Sequence, residues 1–359
     1  MKRACHLLLK ADDRSLDARG RQTIMADSPT FDGSPTQDWA SKSKRSGDFV
    51  LHALDMNSAQ LLDRMHAWMH EVARLRPAMH ALTDLALAAK TQQFRERLAD
   101  ALVGRAADLG GPERELDKLL PEAFAVALEA GARVLGGPVL GALYMQSVSS
   151  VAPLHAETLA GMALHRGMIV QLSVDEANSC IPVVLAAYLN ALLGKGVHIL
   201  TLNDRMAVEG LDRVKTLFEF LGVTAGAVFH EQEVKARREA HARDIMFGKS
   251  SELVFDHLRD TLRQNIEEKV QSRPLSYAII EEKAEWLMIK EARTPCMISA
   301  DDAEGNPYML AGITHAQFLR LYGKLAGKTD ASITLSDRIR FTDSYNVAVL
   351  RIERAGNCE

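Results

Sequence analysis

The chain has few cysteines, and no two of them are close enough in sequence to form a CxxC pair. Its four cysteines, Cys5, Cys180, Cys296 and Cys358, are spread over 359 residues. Closely spaced cysteines are typical of structural zinc sites and of disulfide frameworks. We therefore expect neither, and a reducing, cytoplasmic compartment fits best.

Long apolar runs and an excess of one charge are also missing. No stretch approaches the roughly 18 consecutive apolar residues that a membrane span needs. The first residues, MKRACHLLLKADD, contain only a three-leucine run, which is too short for the core of a signal peptide. Lysine and arginine total 43 against 47 aspartate and glutamate, which gives a net charge of -4. This balance provides no general attraction to nucleic acid or anionic lipid.

The first part of the chain divides into a polar and a helical segment. Residues 1–48 are polar and rich in turn-forming residues, so we expect a disordered leader there. Residues 49–118 are predicted to form a helical segment, because apolar residues recur at three- and four-residue spacings: Leu54, Leu61, Leu62, Met65, Met69 and Val72. In HAWMH, His66 and His70 would share one helix face. The sequence suggests no third ligand, so partly buried helix histidines are favoured over a metal site.

Residues 119–359 have the pattern of an α/β domain. LLPEAFAVALEAGARVLGG predicts a helix over residues 119–137, with Pro121 in its first turn and Gly136 and Gly137 at its end. Apolar β-rich runs then alternate with helical stretches, at residues 197–204, 225–230, 243–248, 275–282 and 345–352. Such alternation predicts a parallel sheet with helices on both faces. In HLRD, Arg259 and Asp260 are interpreted as a surface or interdomain ion pair.

Residues 172–180, LSVDEANSC, lie where a ligand-binding loop is expected. They precede a small-residue apolar helix and the strand-like VHILTLND, and parallel sheets bind ligands in such loops at the carboxyl ends of their strands. The glycines and the lysine that usually hold phosphate are missing. The residues leave two interpretations open. The segment is either a nucleotide-binding loop that has lost its phosphate-binding residues, or a plain turn in which Asp175 or Ser173 caps the helix.

Several long segments resemble, in order, the first nucleotide-binding domain of the SecA family, the bacterial preprotein translocase motors. They are FRERLAD, LLPEAFAV, AYLNALLGKGVHILTLND, FEFLGVTAG, DIMFGKSSELVFDHLRD, KEARTP and FLRLYGKLAG. The resemblance runs from about residue 91 to residue 352. It implies a P-loop NTPase-like fold of the RecA and DEAD-like type, with ATP or ADP and magnesium as ligands.

The resemblance also implies which residues occupy the nucleotide loop. The family's T-G-E-G-K-T aligns with VDEANS in this chain. Asp175 and Ala177 take the two glycine positions, and Asn178 takes the lysine position. Glu176 is shared with the family, and Ser179 retains a hydroxyl able to ligate magnesium. Because a lysine is lost and a carboxylate is gained near the phosphates, we expect impaired nucleotide binding.

Three further motifs of the family are altered here. Glu157 aligns with the adenine-reading glutamine and keeps an acceptor without the amide donor. The magnesium-binding D-E-V-D falls in EEKAEWLMIKEARTP. Aligned from YAII, it becomes Glu281 and Glu282, the candidate catalytic and metal-binding pair; aligned from EARTP, it becomes Glu282 and Lys283, which could not bind metal. The coupling motif T-G-T-A aligns with TDAS, which puts Asp330 at the glycine.

These changes predict a SecA-like pseudo-motor, an adaptor, regulator or accessory factor of protein export without efficient ATP hydrolysis. Only DDAEGNPYM stands where the family inserts its preprotein-crosslinking domain, and the sequence ends before a second nucleotide-binding domain. We expect no firmly bound cofactor, weak Mg-ATP or Mg-ADP binding at most, and no nucleic acid. The expected partner is a protein of the export machinery or a SecA-like motor, in the cytoplasm or in peripheral contact with the inner face of the plasma membrane. The alternative is a residual ATPase that a partner chain completes.

Overall fold

The computed structural model describes residues 42–46, 49–53, 58–103, 110–135, 153–173, 179–271 and 273–354. The helices there are α1 Ser58–His80, α2 Asp84–Ala88, α3 Lys90–Leu102, α4 Gly111–Val134, α5 Pro153–His165, α6 Ile181–Ala191, α7 Asp204–Phe220, α8 Val234–His241, α9 Ser250–Leu262, α10 His315–Leu319 and α11 Leu335–Tyr345. The strands are β1 Lys42–Ser46, β2 Phe49–Ala53, β3 Ile169–Gln171, β4 Val197–Thr201, β5 Ala225–Val228, β6 Ile245–Lys249, β7 Tyr277–Ile280, β8 Pro295–Asp301, β9 Pro307–Thr314, β10 Lys324–Thr329 and β11 Val349–Arg354. A 3-10 helix spans Ile266–Glu268 and a π-helical turn spans Trp286–Lys290.

One large sheet organises the fold, with the strand order β1-β2-β11-β3-β10-β7-β4-β6-β5. The seven strands from β11 to β5 are parallel, and β2 and β1 extend that sheet in antiparallel fashion. Strands β8 and β9 form a separate antiparallel hairpin. The predicted α/β fold with a P-loop NTPase-like parallel sheet is confirmed. Its carboxyl edge brings together the loops that follow β3, β10 and β7, which are neighbours in the sheet.

The core is built around α6, the apolar helix that follows the LSVDEANSC loop. Every residue of α6 is buried. Its small side chains permit close packing against α5, where a Cβ on Gly161 would lie 3.1 Å from the Leu185 Cβ. The predicted apolar stripe of α1 is confirmed at Leu62, Met65, Met69 and Val72, which are buried. None of the described helices is long and apolar enough to cross a membrane.

Several predicted boundaries were wrong. Residues 49–53 were assigned to a helix but form strand β2, and residues 42–46, assigned to the leader, form β1. Helix α4 begins at Gly111, so Pro112 supplies the first-turn proline and Pro121 lies inside the helix. Residues 118 and 119, between which the sequence placed a domain boundary, both belong to α4. Gly136 and Gly137, the predicted helix end, lie outside the described residues, as does Leu54.

Gly327 allows β10 to lie directly against the residues that follow β7. A Cβ at this position would be 2.8 Å from the Ala284 Cβ and 3.1 Å from the Ile280 Cβ. Both atoms are fixed to the backbone, so we expect Gly327→Ala to lower the free energy of unfolding by about 1 to 2 kcal/mol in urea titrations. Gly210→Ala in α7 is the matched control, because its Cβ would meet Phe247 at an ordinary 3.4 Å. Alanine favours helix there, so equal losses in the two variants would contradict the prediction.

Candidate functional site

The loop that follows β3 is described at its two ends. Leu172 continues the sheet, since its N–H donates to the Thr329 carbonyl at 3.0 Å. At the other end, Ser179 Oγ accepts the backbone N–H of Ile181 at 3.2 Å and so supports the first turn of α6. The predicted loop residues between them, Asp175, Glu176, Ala177 and Asn178, lie outside the described residues. The described ends therefore fix where the loop starts and finishes: beside β10 and at the start of α6.

A buried lysine that sequence reasoning missed lies beside this loop. Lys328, near the end of β10, is 1% exposed, and its Nζ donates to the Ser179 carbonyl at 2.8 Å. Burial lowers the pKa of Lys328, an effect that the carboxylates of Glu281 and Glu282 oppose. The available signal was a lysine in the otherwise apolar strand segment LAGKT, because a charged side chain in a buried strand requires a partner.

Glu281 and Glu282 follow β7 directly at the same edge of the sheet. The register pairs Gly327 with Ile280, so the next residues, Lys328 and Glu281, adjoin each other across β10 and β7. Glu281 is buried; its Oε1 lies 4.0 Å from the Arg213 Nη2, and its Oε2 has no hydrogen-bond partner among the described residues. Burial raises the pKa of the Glu281 carboxyl, while Lys328 and Arg213 oppose that rise.

The two alignments of the metal-binding motif involve residues with different surroundings. Glu281 faces Lys328 and Arg213, whereas Lys283 is exposed and has a left-handed backbone with φ of 49°. Glu281 and Glu282 are the first two residues after β7, and Lys283 comes next with its side chain exposed. The metal-binding and catalytic roles of this pair stay predictions.

The site formed by Ser179, Lys328, Glu281 and Glu282 is called the cleft below, and the other aligned positions belong to α5 and to the end of β10. Glu157 is buried on α5, one turn before Gly161, which packs on the start of α6 where a Cβ would approach the Pro182 carbonyl to 3.3 Å. Thr329 Oγ1 donates to Glu285 Oε2 at 2.5 Å and accepts the Ala331 N–H. Asp330, at the glycine position of the coupling motif, is exposed. The structure thereby brings Ser179, Glu281 and Thr329 to one edge of the sheet, while the role of Glu157 stays a prediction.

The helix histidines named from the sequence contact each other. The Nε2 atoms of His66 and His70 are 3.0 Å apart, so one ring donates a hydrogen bond to the other. Among the described residues, no group of three or more histidine, cysteine, aspartate or glutamate side chains has the arrangement of a metal site.

The cleft contains a protein cation, the ammonium group of Lys328. Lys328 reaches the loop from a strand, already donates to a protein carbonyl, and adjoins two carboxylates of the kind that bind magnesium. A P-loop, by contrast, offers its lysine from the loop to the terminal phosphates. The described part of the site therefore contains one buried ammonium beside two carboxylates.

Comparison of the sequence with known protein families shows to which family the chain belongs. A family model of the SecA DEAD-like domain matches residues 50–310. The chain belongs to the SecA family. It is 39% identical over 236 residues to the protein translocase subunit SecA of Chromohalobacter salexigens, a match that covers 66% of this chain and 23% of the relative.

Other SecA proteins give similar matches. The chain is 40% identical over 236 residues to protein translocase subunit SecA of Pseudomonas putida, with 66% of this chain and 23% of the relative covered. For the subunit of Syntrophobacter fumaroxidans the identity is 35% over 252 residues, with 70% and 26% covered. The matched region thus spans about a quarter of these SecA relatives.

Proposed function

We propose that this SecA-family chain is a pseudo-motor, an adaptor, regulator or accessory factor of protein export that does not hydrolyse ATP efficiently. The observation that carries the proposal is the buried Lys328 ammonium bound to the Ser179 carbonyl. One of the three N–H donors of this ammonium is thus already used by a protein carbonyl, so fewer are left for a phosphate, and each hydrogen bond to a charged group is worth about 1.5 to 3 kcal/mol.

The loop sequence supports the same proposal. Asp175 and Ala177 replace glycines that permit close backbone approach to phosphate, and Asn178 carries no charge. The Asp175 carboxylate adds repulsion toward a triphosphate. Meanwhile the Lys328 ammonium offsets part of the negative charge that Glu281 and Glu282 would offer to magnesium.

The partner follows from the relatives. These are named protein translocase subunits, and a domain that keeps their fold is suited to dock on components that recognise it. We therefore propose a protein of the export machinery or a SecA-like motor as partner, and no nucleic acid. The site of action would be cytoplasmic, with at most peripheral contact with the inner face of the plasma membrane.

Nucleotide titration tests the proposal. A ligand with a Kd of about 1 μM, added at about 100 μM, would stabilise the chain by roughly 2.7 kcal/mol. We expect no shift in Tm with Mg-ATP or Mg-ADP up to about 1 mM, which corresponds to a Kd above about 1 mM and a binding free energy weaker than about −4 kcal/mol. A saturable shift at micromolar nucleotide, together with hydrolysis by the isolated chain, would overturn the proposal.

A gain-of-function variant provides the positive control. It combines Asp175→Gly, Ala177→Gly and Asn178→Lys with Lys328→Met, which restores the loop chemistry and removes the competing ammonium. We expect this variant to acquire a Mg-nucleotide-dependent rise in Tm while the parent chain has none. The three loop changes without Lys328→Met should give a smaller rise, because the buried ammonium still occupies the cleft.

A second candidate function is a residual ATPase completed by a partner chain. It is favoured by Glu281, whose buried Oε2 has no hydrogen-bond partner among the described residues and could ligate a metal. In that case, adding a full-length SecA protein should produce magnesium-dependent hydrolysis above that of the SecA protein alone. The added activity should disappear in Glu281→Gln and Glu282→Gln variants; an unchanged rate in the mixture excludes this candidate.

A further inference from the structure

A cavity lies at the carboxyl edge of the sheet, away from the Ser179 loop. It has a volume of about 570 Å³ and is formed where β4, β6 and β7 end. The lining residues used below are Lys249, Ser250, Lys283, Trp286, Glu291 and His315. The cavity does not include the loop that follows β3, but the segment after β7 contributes to both sites: Glu281 and Glu282 to the cleft, and Lys283 and Trp286 to the cavity.

The cavity wall contains hydrogen-bonding groups that have no protein partner. Ser250 is 3% exposed and His315 is 4% exposed, yet Ser250 Oγ and His315 Nδ1 have no hydrogen-bond partner among the described residues. An unsatisfied buried polar atom costs about 1 to 3 kcal/mol, so two in one wall indicate that a ligand or solvent completes them.

The same wall includes the start of a helix. Ser250 is the first residue of α9, a thirteen-residue helix, and its N-cap residue Lys249 makes no side-chain capping bond. The backbone N–H groups of a first helical turn have no partner within the helix and carry a partial positive charge. Together with the Ser250 hydroxyl, they form a set of donors suited to an oxyanion.

Two lysine side chains of the cavity also favour the binding of an anion. Neither Lys249 nor Lys283 makes an ion pair or side-chain hydrogen bond with any residue in the described ranges. Glu291 is the acidic residue in the lining, and its Oε1 already accepts the Trp286 Nε1–H at 2.9 Å. The two ammonium groups are therefore available for a ligand of opposite charge.

From these observations we infer that the cavity binds the phosphate group of a small phosphorylated ligand. Two lysines, a helix start, a hydroxyl and an imidazole are suited to a multiply charged tetrahedral anion with several acceptors. Trp286 is 44% exposed at the rim, and the Lys290 ammonium lies 5.1 Å from its ring centroid. An aromatic group attached to the phosphate would find a stacking surface there.

Trp286 provides the readout for a binding experiment. Titration of the full chain with inorganic phosphate, and separately with phenyl phosphate, should change the tryptophan fluorescence in a saturable way. We expect the change to vanish in Trp286→Phe, since Trp286 lines the cavity. Tighter binding of phenyl phosphate would identify an aromatic phosphate ester as the source; equal binding would identify free phosphate.

Matched variants decide whether the cavity is the site. The double variant Lys249→Met and Lys283→Met should raise the Kd for phosphate at least about tenfold, and Ser250→Ala about fivefold. Lys235→Met, an exposed lysine on α8 outside the cavity, should leave the Kd unchanged. Circular dichroism of each variant establishes that it is folded before its Kd is compared.

Three results would overturn the inference. One is the absence of saturation with either phosphate up to about 10 mM, a binding free energy weaker than roughly −3 kcal/mol. The other is an equal Kd in the lysine double variant and in Lys235→Met, which would place phosphate elsewhere. Binding of a single-stranded oligonucleotide without binding of either small phosphate would also contradict a small-ligand site.

Discussion

Replacing Asp256 with asparagine is expected to lower the free energy of unfolding by about 3 to 5 kcal/mol at pH 7. Asp256 is 0% exposed and accepts hydrogen bonds from three cationic or imidazole side chains. Arg237 Nη1 and Arg259 Nη2 donate to Oδ1 at 2.7 and 2.6 Å, and His241 Nε2 donates to Oδ2 at 2.9 Å. Asparagine keeps the shape but removes the charge that balances the buried Arg237.

The pH dependence of this loss has a definite sign. Burial alone would raise the pKa of Asp256, but the hydrogen bonds from His241 and Arg259 outweigh it and hold the pKa below its usual value. A depressed carboxyl pKa contributes stability above the unfolded value of about 3.9, which is lost as pH falls through the folded pKa. The difference between the parent chain and Asp256→Asn should therefore be full at pH 7 and shrink below about pH 4.

Urea unfolding at pH 7 and at acidic pH measures both effects. Asp212→Asn is the control, because Asp212 is exposed on α7 and should change stability by no more than about 0.5 kcal/mol. If Asp256→Asn costs no more than Asp212→Asn, the network is not a stabilising element of the fold.

This network also holds in place the helix that forms the proposed phosphate site. Arg237 on α8 pairs with Glu252 in the first turn of α9 as well as with Asp256 one turn later. Its Nη2 also donates to the Phe229 carbonyl after β5 at 2.7 Å. The start of α9, with Ser250, is thus fixed to the neighbouring helix and strand, as a preorganised anion site requires.

Sequence patterns predicted the strands of the sheet better than they predicted which charged side chains form ion pairs. The runs at 197–204 and 275–282 became β4 and β7, because long β-rich segments between helices are distinctive. Strand β3 has three residues and escaped prediction. Arg259 and Asp260 were expected to pair with each other, which was wrong: Arg259 binds Asp256, and Asp260 accepts the N–H groups of Val270 and Gln271.

Only those residues of the cleft that belong to motifs with a fixed order along the chain could be predicted from the sequence. Ser179, Glu281 and Glu157 were located by resemblance to motifs that lie in order along the chain. Lys328 was not, because it contacts Ser179 across 149 residues, and no local pattern marks a contact of that separation. The cavity with Ser250 and His315 was missed too, since a lone serine or histidine carries no signal until the fold reveals that its polar atom has no partner.

Replacing Lys328 with methionine should lower the free energy of unfolding by about 3 kcal/mol at pH 8, because the buried Glu281 carboxylate then keeps only the half-exposed Arg213, 4.0 Å away, as a neighbouring cation. Burial already raises the pKa of Glu281, and loss of Lys328 would raise it further. Ionised Glu281 is penalised above its unfolded pKa of about 4.3, and the penalty grows as pH rises to the folded pKa. The loss should thus be largest at pH 8 and smallest near pH 4.

The double variant Lys328→Met and Glu281→Gln separates this charge effect from simple packing. Because replacing both members of a buried pair with neutral groups is often neutral or stabilising, we expect the double variant to recover most of the loss and its pH dependence to disappear. Lys235→Met is the exposed control and should stay within about 0.5 kcal/mol of the parent. If Glu281→Gln fails to rescue Lys328→Met at pH 8, Lys328 does not neutralise Glu281. The interpretation that Lys328 offsets the charge of Glu281, which supports the pseudo-motor proposal, would then have to be abandoned.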